Sequence, residues 1–142
     1  ILSPLAQRFR AERVSHGAPP SLMAQPALAE FMASGAFAIH IRRMRRIYAA
    51  RRRALIEALK EGDGRLYDID ASPAGLMLLL RLSAGANDEE VVQHLAAQGI
   101  EALSLSSHYA GRNRRQGLLL SFAGFSEADL AQAAARLIAA LG

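Results

Sequence analysis

The stretch Gly75-Leu76-Met77-Leu78-Leu79-Leu80-Arg81-Leu82 decides the fold class of this 142-residue chain. It is nearly all apolar, which predicts a β-strand that is covered on both faces. Further strands are predicted at residues 65–69, 100–103 and 118–122, and helices are predicted before, between and after them. This order predicts an α+β fold, in which a small, mostly antiparallel sheet is packed with helices.

A long helix is predicted from residue 36 to residue 60, where the sequence is strongly amphipathic. On a helical wheel its apolar side chains fall within a stripe about 60° wide, and its arginines lie on the far side. Gly62 and Gly64 follow, and glycine commonly ends a helix. The stripe holds Phe37, Ile41, Met44, Tyr48, Leu55 and Leu59, and the far side holds Arg42, Arg43, Arg46 and Arg53.

Two shorter helices are marked by their capping residues. Asn87 with Glu90, and Ser126 with Asp129, have the three-residue spacing of a capping box at a helix start. Gly99 ends the first of these helices. Further helices are predicted over residues 5–14 and 21–32, with a break at residues 17–20.

The composition is typical of a globular domain, because 51% of the residues are hydrophobic and 21% are charged. No apolar run approaches the roughly 18 residues that cross a bilayer, so no membrane contact is expected. Cysteine is absent, which excludes a disulfide framework, a thiolate nucleophile and a cysteine-bound metal. The histidines have no metal-ligand spacing, so no metal site is predicted. These features fit a cytoplasmic protein.

The net charge of +4 comes almost entirely from arginine, much of it in the run between residues 42 and 53. Such a run can bind nucleic acid through phosphates, or it can be the solvated face of an amphipathic helix. The second interpretation is favoured, because the wheel separates charge from core and no aromatic residues interleave with the arginines. A stand-alone interaction module that uses this helix as its binding face is a further alternative.

The loop at residues 104–116 is a candidate ligand site, since function often lies in loops between strands. It carries Ser107, His108 and Tyr109, although loops of this composition commonly have a purely structural role. The acidic cluster at residues 88–90 is interpreted as the charge of a helix N-terminus, not as an acid–base pair.

Residues 27–48 resemble a segment of the fold-type-I aminotransferases, which use pyridoxal phosphate (PLP). The similarity is strongest to the MocR branch of the GntR regulators, in which a DNA-binding winged helix is fused to an aminotransferase-like domain. Residues 74–82 and 117–125 match the same family in the same order. The pattern in the first segment runs through Ser34-Gly35, Phe37, His40-Ile41-Arg42-Arg43-Met44-Arg45-Arg46 and Tyr48.

The resemblance implies a large domain that holds PLP on a Schiff-base lysine and a small domain that closes over the substrate. Residues 1–24 are then expected to be the tail end of the large domain, and residues 25–142 the small domain. Residues 1–4 look like the sequence that follows the lysine-bearing loop, so we expect a fragment with no catalytic or cofactor-binding residue. Lys60, the only lysine, lies on the polar face of the long helix and does not replace the missing one.

One position departs from the pattern of amino-acid aminotransferases. These enzymes carry an arginine in the last strand that grips the substrate carboxylate, whereas the matching residue here is Leu119. Either the ligand is not an ordinary α-amino acid, or another arginine takes over this role, or the domain binds PLP itself as a signal and has no turnover. The candidates on the substrate or effector side are Gly75, Ser107, His108, Tyr109, Arg112, Arg114, Arg115 and Leu119.

The resemblance thus implies part of an effector-sensing domain of a transcriptional regulator, with PLP in the full-length parent and none in the fragment. The alternative is the small domain of a genuine amino-acid aminotransferase. The expected partners are the remainder of the aminotransferase fold and a second copy in a homodimer. DNA is expected to bind only through a separate N-terminal domain.

Overall fold

The computed structural model describes residues 3–15, 22–70 and 75–142. The chain divides into two compact units, one that reaches to Arg42 and one that starts at Arg43. The helix break predicted at residues 17–20 lies outside the described residues, as do residue 21 of the predicted second helix and residues 1, 2 and 74 of the segments that carry the resemblance. In the described part of the chain, no helix has both the length and the apolar character needed to cross a bilayer.

The first unit holds the helices α1 (Ser3–Ser15) and α2 (Ala24–Ala33) and the beginning of α3 (Ala36–Leu59). At the end of α2, the Ser34 hydroxyl donates a hydrogen bond to a carbonyl of the last turn, 3.0 Å away. Gly35 follows with a φ of +78°, a left-handed conformation that glycine adopts without strain. The break between α2 and α3 therefore lies where glycine favours it.

The second unit is built on a four-stranded sheet. The strand order is β1-β2-β4-β3, and each neighbouring pair is antiparallel. This sheet and its helices confirm the predicted α+β fold. The strands are β1 (Tyr67–Asp70), β2 (Met77–Leu82), β3 (Leu103–Ser104) and β4 (Gly117–Ser121), and the helices are the rest of α3, α4 (Asp88–Ala97) and α5 (Glu127–Leu141).

Burial alternates along the two central strands of the sheet. Leu78 and Leu80 of β2 are buried, as are Leu118 and Leu120 of β4, whereas the side chains between them are less buried. The helices α3, α4 and α5 all contribute to the core on the buried side. The sequence predicts that β2 is covered on both faces, but within this chain only one face is fully buried. The helical core residues are Leu55, Leu59, Leu95, Leu130, Ala134 and Leu137.

The two helix starts marked by capping residues are confirmed, with one difference. The Ser126 hydroxyl accepts from the Asp129 N–H, and the Asp129 carboxylate accepts from the Ser126 N–H, which completes a capping box. At α4 the Asn87 side chain accepts from the Glu89 N–H at 3.1 Å. Glu90 contacts the side-chain amide of Asn87 rather than its backbone, so α4 has an N-cap without the reciprocal bond.

The strand predicted at residues 100–103 is found at Leu103–Ser104. Ile100 does not begin it, because its N–H donates to the Leu95 carbonyl at 3.0 Å and closes the end of α4. After β3 the chain makes a 3-10 turn over Ser106–His108. The predicted loop before β4 therefore begins with a short ordered turn.

Candidate functional site

Apart from Leu119, the candidate residues from the sequence lie at two different ends of the sheet. Gly75 stands just before β2, where the Leu76 carbonyl accepts a hydrogen bond from the Phe122 N–H beyond the end of β4. The loop of residues 105–116 leads into β4 at Gly117, which pairs with the other end of β2. The structure therefore separates Gly75 from the loop candidates.

A cavity of about 410 Å³, here named the loop-end cavity, lies where β2 ends and β4 begins. Tyr109 and Arg115 of the loop line it, together with Arg81 and Gln116. Two arginines and no acidic side chain contribute to this lining among the described residues. The rest of the lining consists of Leu79, Leu82, Ser83, Ala84, Gly85 and Leu105.

Arg81 is held in place by an ion pair between β1 and β2. Its guanidinium donates to the Asp70 carboxylate at 2.5 Å. This hydrogen bond, with the charge of Asp70, raises the pKa of Arg81 above its ordinary value. The Arg81 side chain is still 48% exposed, and a guanidinium has five N–H donors, so donors remain for a ligand.

Ser107 and His108 are exposed and contact the backbone of their own turn. The Ser107 hydroxyl donates to the Ser104 carbonyl at 2.8 Å. The Nδ1 atom of His108 lies 3.1 Å from the same oxygen and 3.2 Å from the Ser107 hydroxyl. Neither side chain belongs to the lining of the loop-end cavity, and a ligand role for them stays a prediction.

The three arginines of the loop have different surroundings. Arg114 donates from Nε to the Gly111 carbonyl at 3.1 Å and lies 3.9 Å from the Glu89 carboxylate. Arg112 is exposed and does not line the cavity. Arg115 lines the cavity and makes no hydrogen bond or ion pair to another described residue. Arg115 is thus the one of these three arginines that lines the cavity.

Asp88 is fully buried in the first turn of α4 and holds both ends of the loop. Its carboxylate accepts hydrogen bonds from the Ser106 N–H at 2.8 Å and from the Ser106 hydroxyl at 2.5 Å. It also accepts from the N–H of Gly117 at 3.0 Å. One carboxylate therefore fixes the backbone on both sides of the cavity's tyrosine and arginine.

Burial by itself raises the pKa of Asp88, because it disfavours the charged carboxylate. The hydrogen bonds from Ser106 and from the Gly117 N–H favour the charged form and outweigh burial. The pKa of Asp88 in the folded chain therefore lies below the ordinary carboxyl value of 3.8. Asp88 is ionised throughout the neutral range.

This lowered pKa predicts a specific dependence of stability on pH. The contribution of the Asp88 charge to the free energy of unfolding is fully present at pH values above 3.8, the ordinary carboxyl pKa. It is lost as the pH falls through the pKa of the folded chain, because the unfolded chain takes up the proton first. The difference in free energy of unfolding between wild type and Asp88→Asn should then shrink below this value. Urea unfolding of both proteins at pH values of about 6, 4 and 3 measures it. A difference that stays constant with pH would contradict the prediction.

The Gly75 end of the sheet has its own cavity, of about 630 Å³. Leu76 and Phe122 line it together with Gly75, and so do three arginines of α3. Arg51 donates a hydrogen bond to the Ala123 carbonyl just beyond β4. The far side of α3 is exposed as predicted, but part of the arginine run is turned toward this end of the sheet. The lining arginines are Arg45, Arg52 and Arg53, and the exposed ones include Arg42, Arg43 and Arg46.

Leu119 lies in the middle of β4, on the less buried face of the sheet. It pairs with Leu79 of β2 on one side and with Leu103 of β3 on the other. The position that the resemblance matches to a carboxylate-binding arginine is thus an apolar position between two leucines.

Lys60 is a surface residue at the end of α3. Its side chain is 58% exposed and pairs with Glu57 at 2.8 Å. No group of three or more His, Asp or Glu side chains that could hold a metal ion occurs in residues 3–15, 22–70 and 75–142.

The sequence gives no reason to place three residues at or beside the loop-end cavity: Asp88, Arg81 and Gln116. Asp88 looks like an ordinary acidic residue of a helix N-terminus, and its partners Ser106 and Gly117 are 18 and 29 residues away. Arg81 is marked only as the charged residue in an otherwise apolar strand. Gln116, whose side chain accepts from the Asp88 N–H at 2.9 Å, carries no signal in the sequence.

The chain is similar in sequence to bacterial transcriptional regulators. Over 120 residues, 84% of this chain, it is 34% identical to a protein of Rhizobium meliloti described as the rhizopine catabolism regulatory protein MocR. Over 110 residues, 78% of this chain, it is 34% identical to the HTH-type transcriptional regulator YhdI of Bacillus subtilis. It covers 24% of each, so the chain spans about a quarter of the length of these curated relatives. No protein-family model matches it.

The fold is similar to that of part of an aminotransferase. The crystal structure of LysN, the α-aminoadipate aminotransferase of Thermus thermophilus, superposes with a TM-score of 0.81 at 20% identity, over 98% of this chain and 35% of that one. In sequence this chain is thus similar to about a quarter of MocR-type regulators, and in fold it is similar to part of an aminotransferase.

Proposed function

We propose that this chain is part of an effector-sensing domain, dependent on PLP, in a transcriptional regulator. The observation that carries the proposal is Leu119, which stands between two leucines where the resemblance to amino-acid aminotransferases expects an arginine. The identity of 34% to MocR and YhdI supports a regulator as the parent protein.

The row formed by Leu79, Leu119 and Leu103 is a poor site for an α-carboxylate. A carboxylate placed against it would lose hydration without gaining an ion pair, which costs free energy. An arginine offers two parallel, charge-assisted hydrogen bonds at such a position, and leucine offers none. This difference disfavours turnover of ordinary amino acids and favours binding of the ligand as a signal.

The residues of this chain do not fit PLP as a covalently held cofactor. PLP is held through a lysine amine that is desolvated and positioned beside it. Lys60 is exposed and paired with Glu57, so it meets neither condition. We therefore place the Schiff-base lysine in the remainder of the parent protein and expect this chain alone to have no activity and to bind no PLP.

The role left to this chain is to cover the ligand and to report its presence. An effector that binds better to one arrangement of the small and large domains shifts the population toward that arrangement. Coupling of about 1 to 3 kcal/mol is typical between such sites and is enough to change DNA affinity several-fold. The proposed setting is a cytoplasmic homodimer that contacts DNA through its N-terminal domain.

The test uses the full-length protein that contains this chain. It is expected to take up PLP with the absorbance of the bound cofactor, and its affinity for operator DNA is expected to change when PLP or a PLP–amine adduct is added. Lys60→Gln serves as the matched control and should leave both signals unchanged, because Lys60 is not the PLP lysine. The proposal would be contradicted if adding PLP changed neither the absorbance of the full-length protein nor its affinity for operator DNA.

An amino-acid aminotransferase is the second candidate, because the fold of this chain is shared with such an enzyme at a TM-score of 0.81. Mixing the PLP-loaded, full-length protein with a panel of amino acids separates the two. An enzyme loses the absorbance of bound PLP in a half-reaction with its amino acid, whereas a sensor keeps it with every member of the panel. Loss of the signal with any one amino acid would favour the enzyme.

A further inference from the structure

We propose that the loop-end cavity binds a small organic acid, with the carboxylate at its arginines and an apolar body against its leucines. The volume of about 410 Å³ falls in the range of small-molecule sites, roughly 300 to 1,000 Å³. The cavity lies at the opposite end of β2 from Gly75. The proposal rests on the loop-end cavity alone and does not depend on PLP sensing.

The charged part of the site is formed by two arginines. Arg115 lines the cavity without a hydrogen bond or ion pair to another described residue, so its guanidinium is available. Arg81 is oriented by its ion pair with Asp70 and has donors left over. The described lining includes no acidic side chain, and Arg81 is already paired with Asp70, so the unpaired positive charge that an anion meets in the cavity is that of Arg115.

The apolar part of the site is formed by Leu79, Leu82 and Leu105. Inorganic anions have no surface that could use these side chains. A carboxylic acid with a hydrocarbon or aromatic body would bury both kinds of surface in one cavity, and burial of apolar area favours binding. The mixed lining therefore favours an amphipathic acid over a simple ion.

Two polar side chains are placed to orient the bound acid. Tyr109 lines the cavity, and its phenol hydroxyl can donate a hydrogen bond to a carboxylate. The side-chain oxygen of Gln116 is engaged by the Asp88 N–H at 2.9 Å, which fixes the amide and leaves its NH₂ group as a donor. Asp88 also accepts hydrogen bonds from Ser106 and Gly117, so the side of the cavity formed by Gln116 is ordered before a ligand arrives. Such preorganisation lowers the entropy that is lost on binding.

The test is an NMR titration of the ¹⁵N-labelled 142-residue chain with benzoate as the probe, at constant ionic strength. Benzoate is expected to shift the amide signals of Ser83, Tyr109 and Arg115 with saturation. Arg115→Gln should weaken its binding about tenfold, since it removes a charge-assisted hydrogen bond. Arg112→Gln makes the same charge change in the same loop outside the cavity and should leave the affinity unchanged.

Two further probes distinguish the sources of binding. Benzyl alcohol has the ring without the charge, and inorganic phosphate has the charge without the ring, so both should bind at least about tenfold more weakly than benzoate. The proposal is overturned if either probe binds as tightly as benzoate, or if Arg112→Gln weakens binding as much as Arg115→Gln. Neither PLP nor DNA is present, so such a failure would leave the proposed PLP sensing untouched.

Discussion

Replacement of Asp88 by alanine is expected to lower the free energy of unfolding by about 3 kcal/mol. Asp88 is fully buried, and its carboxylate accepts hydrogen bonds from Ser106 and Gly117. Alanine leaves the N–H groups of both residues without this acceptor in a buried position, which costs the desolvation of each group. Urea unfolding followed by circular dichroism at neutral pH measures the loss.

Two companion variants separate the causes of this loss. Asp88→Asn keeps the size of the side chain but replaces one acceptor oxygen by an NH₂ group that faces N–H donors, so it should cost nearly as much as alanine. Glu90→Gln removes a negative charge from the same first turn of α4 at an exposed position. It should change the free energy of unfolding by less than about 0.5 kcal/mol. Equal effects of Glu90→Gln and Asp88→Asn would mean that the loss comes from the charge at the helix N-terminus and not from the hydrogen bonds of Asp88 to Ser106 and Gly117.

Leu118→Ala is expected to lower the free energy of unfolding by about 3 kcal/mol. Leu118 is completely buried in the core that β4 shares with the helices, so its removal leaves a cavity as well as lost apolar burial. The neighbouring substitution Leu119→Ala should cost only about 1 kcal/mol, because Leu119 is half-buried on the other face. Urea unfolding of the two variants compares adjacent positions of one strand with the same chemical change.

The contrast between these two variants also tests the interpretation of Leu119. If Leu119→Ala costs as much as Leu118→Ala, then Leu119 is a core residue in this chain and its identity reflects packing. The proposed loss of a carboxylate site would then have no support from its position. A small cost for Leu119→Ala, as expected, leaves the position open to a ligand or to another part of the parent protein.

The helix starts could be predicted from the sequence, because their signals are local. Ser126 and Asp129 are three residues apart and bind each other directly. Asn87 likewise caps α4 through a residue two positions on. The long helix α3 was predictable for a related reason, since its apolar stripe repeats at the helical period and ends in Leu55 and Leu59, which are buried.

The strand β3 and the hydrogen bonds of Asp88 to the loop could not be predicted, because they depend on residues far apart in the chain. Residues 100–103 have the composition of a strand, but Ile100 is used to close α4, and pairing with β4 starts only at Leu103. Similarly, the sequence places Asp88 at a helix N-terminus but contains no sign that its carboxylate reaches a turn and a strand elsewhere. Only the fold brings Ser106 and Gly117 to it.

The candidate site was predicted in part. The sequence singles out Tyr109 and Arg115 as neighbours in a loop, and the structure places both in one cavity. It also singles out Gly75, which the antiparallel pairing of β2 and β4 places at the opposite end. Residues that are close in a sequence motif stay close in space, whereas motifs from different strands meet only as the strand order allows.

The strand order also bears on aggregation. The outer strands of the sheet are β1, which is four residues long and carries two aspartates, and β3, which is two residues long. An edge strand recruits another chain when it is long, flat and uncharged, because its free N–H and C=O groups then serve as a template. Both edges here are short, and one is negatively charged. Other copies of the chain thus find little backbone to pair with, and intermolecular β-sheet growth is disfavoured even at high protein concentration.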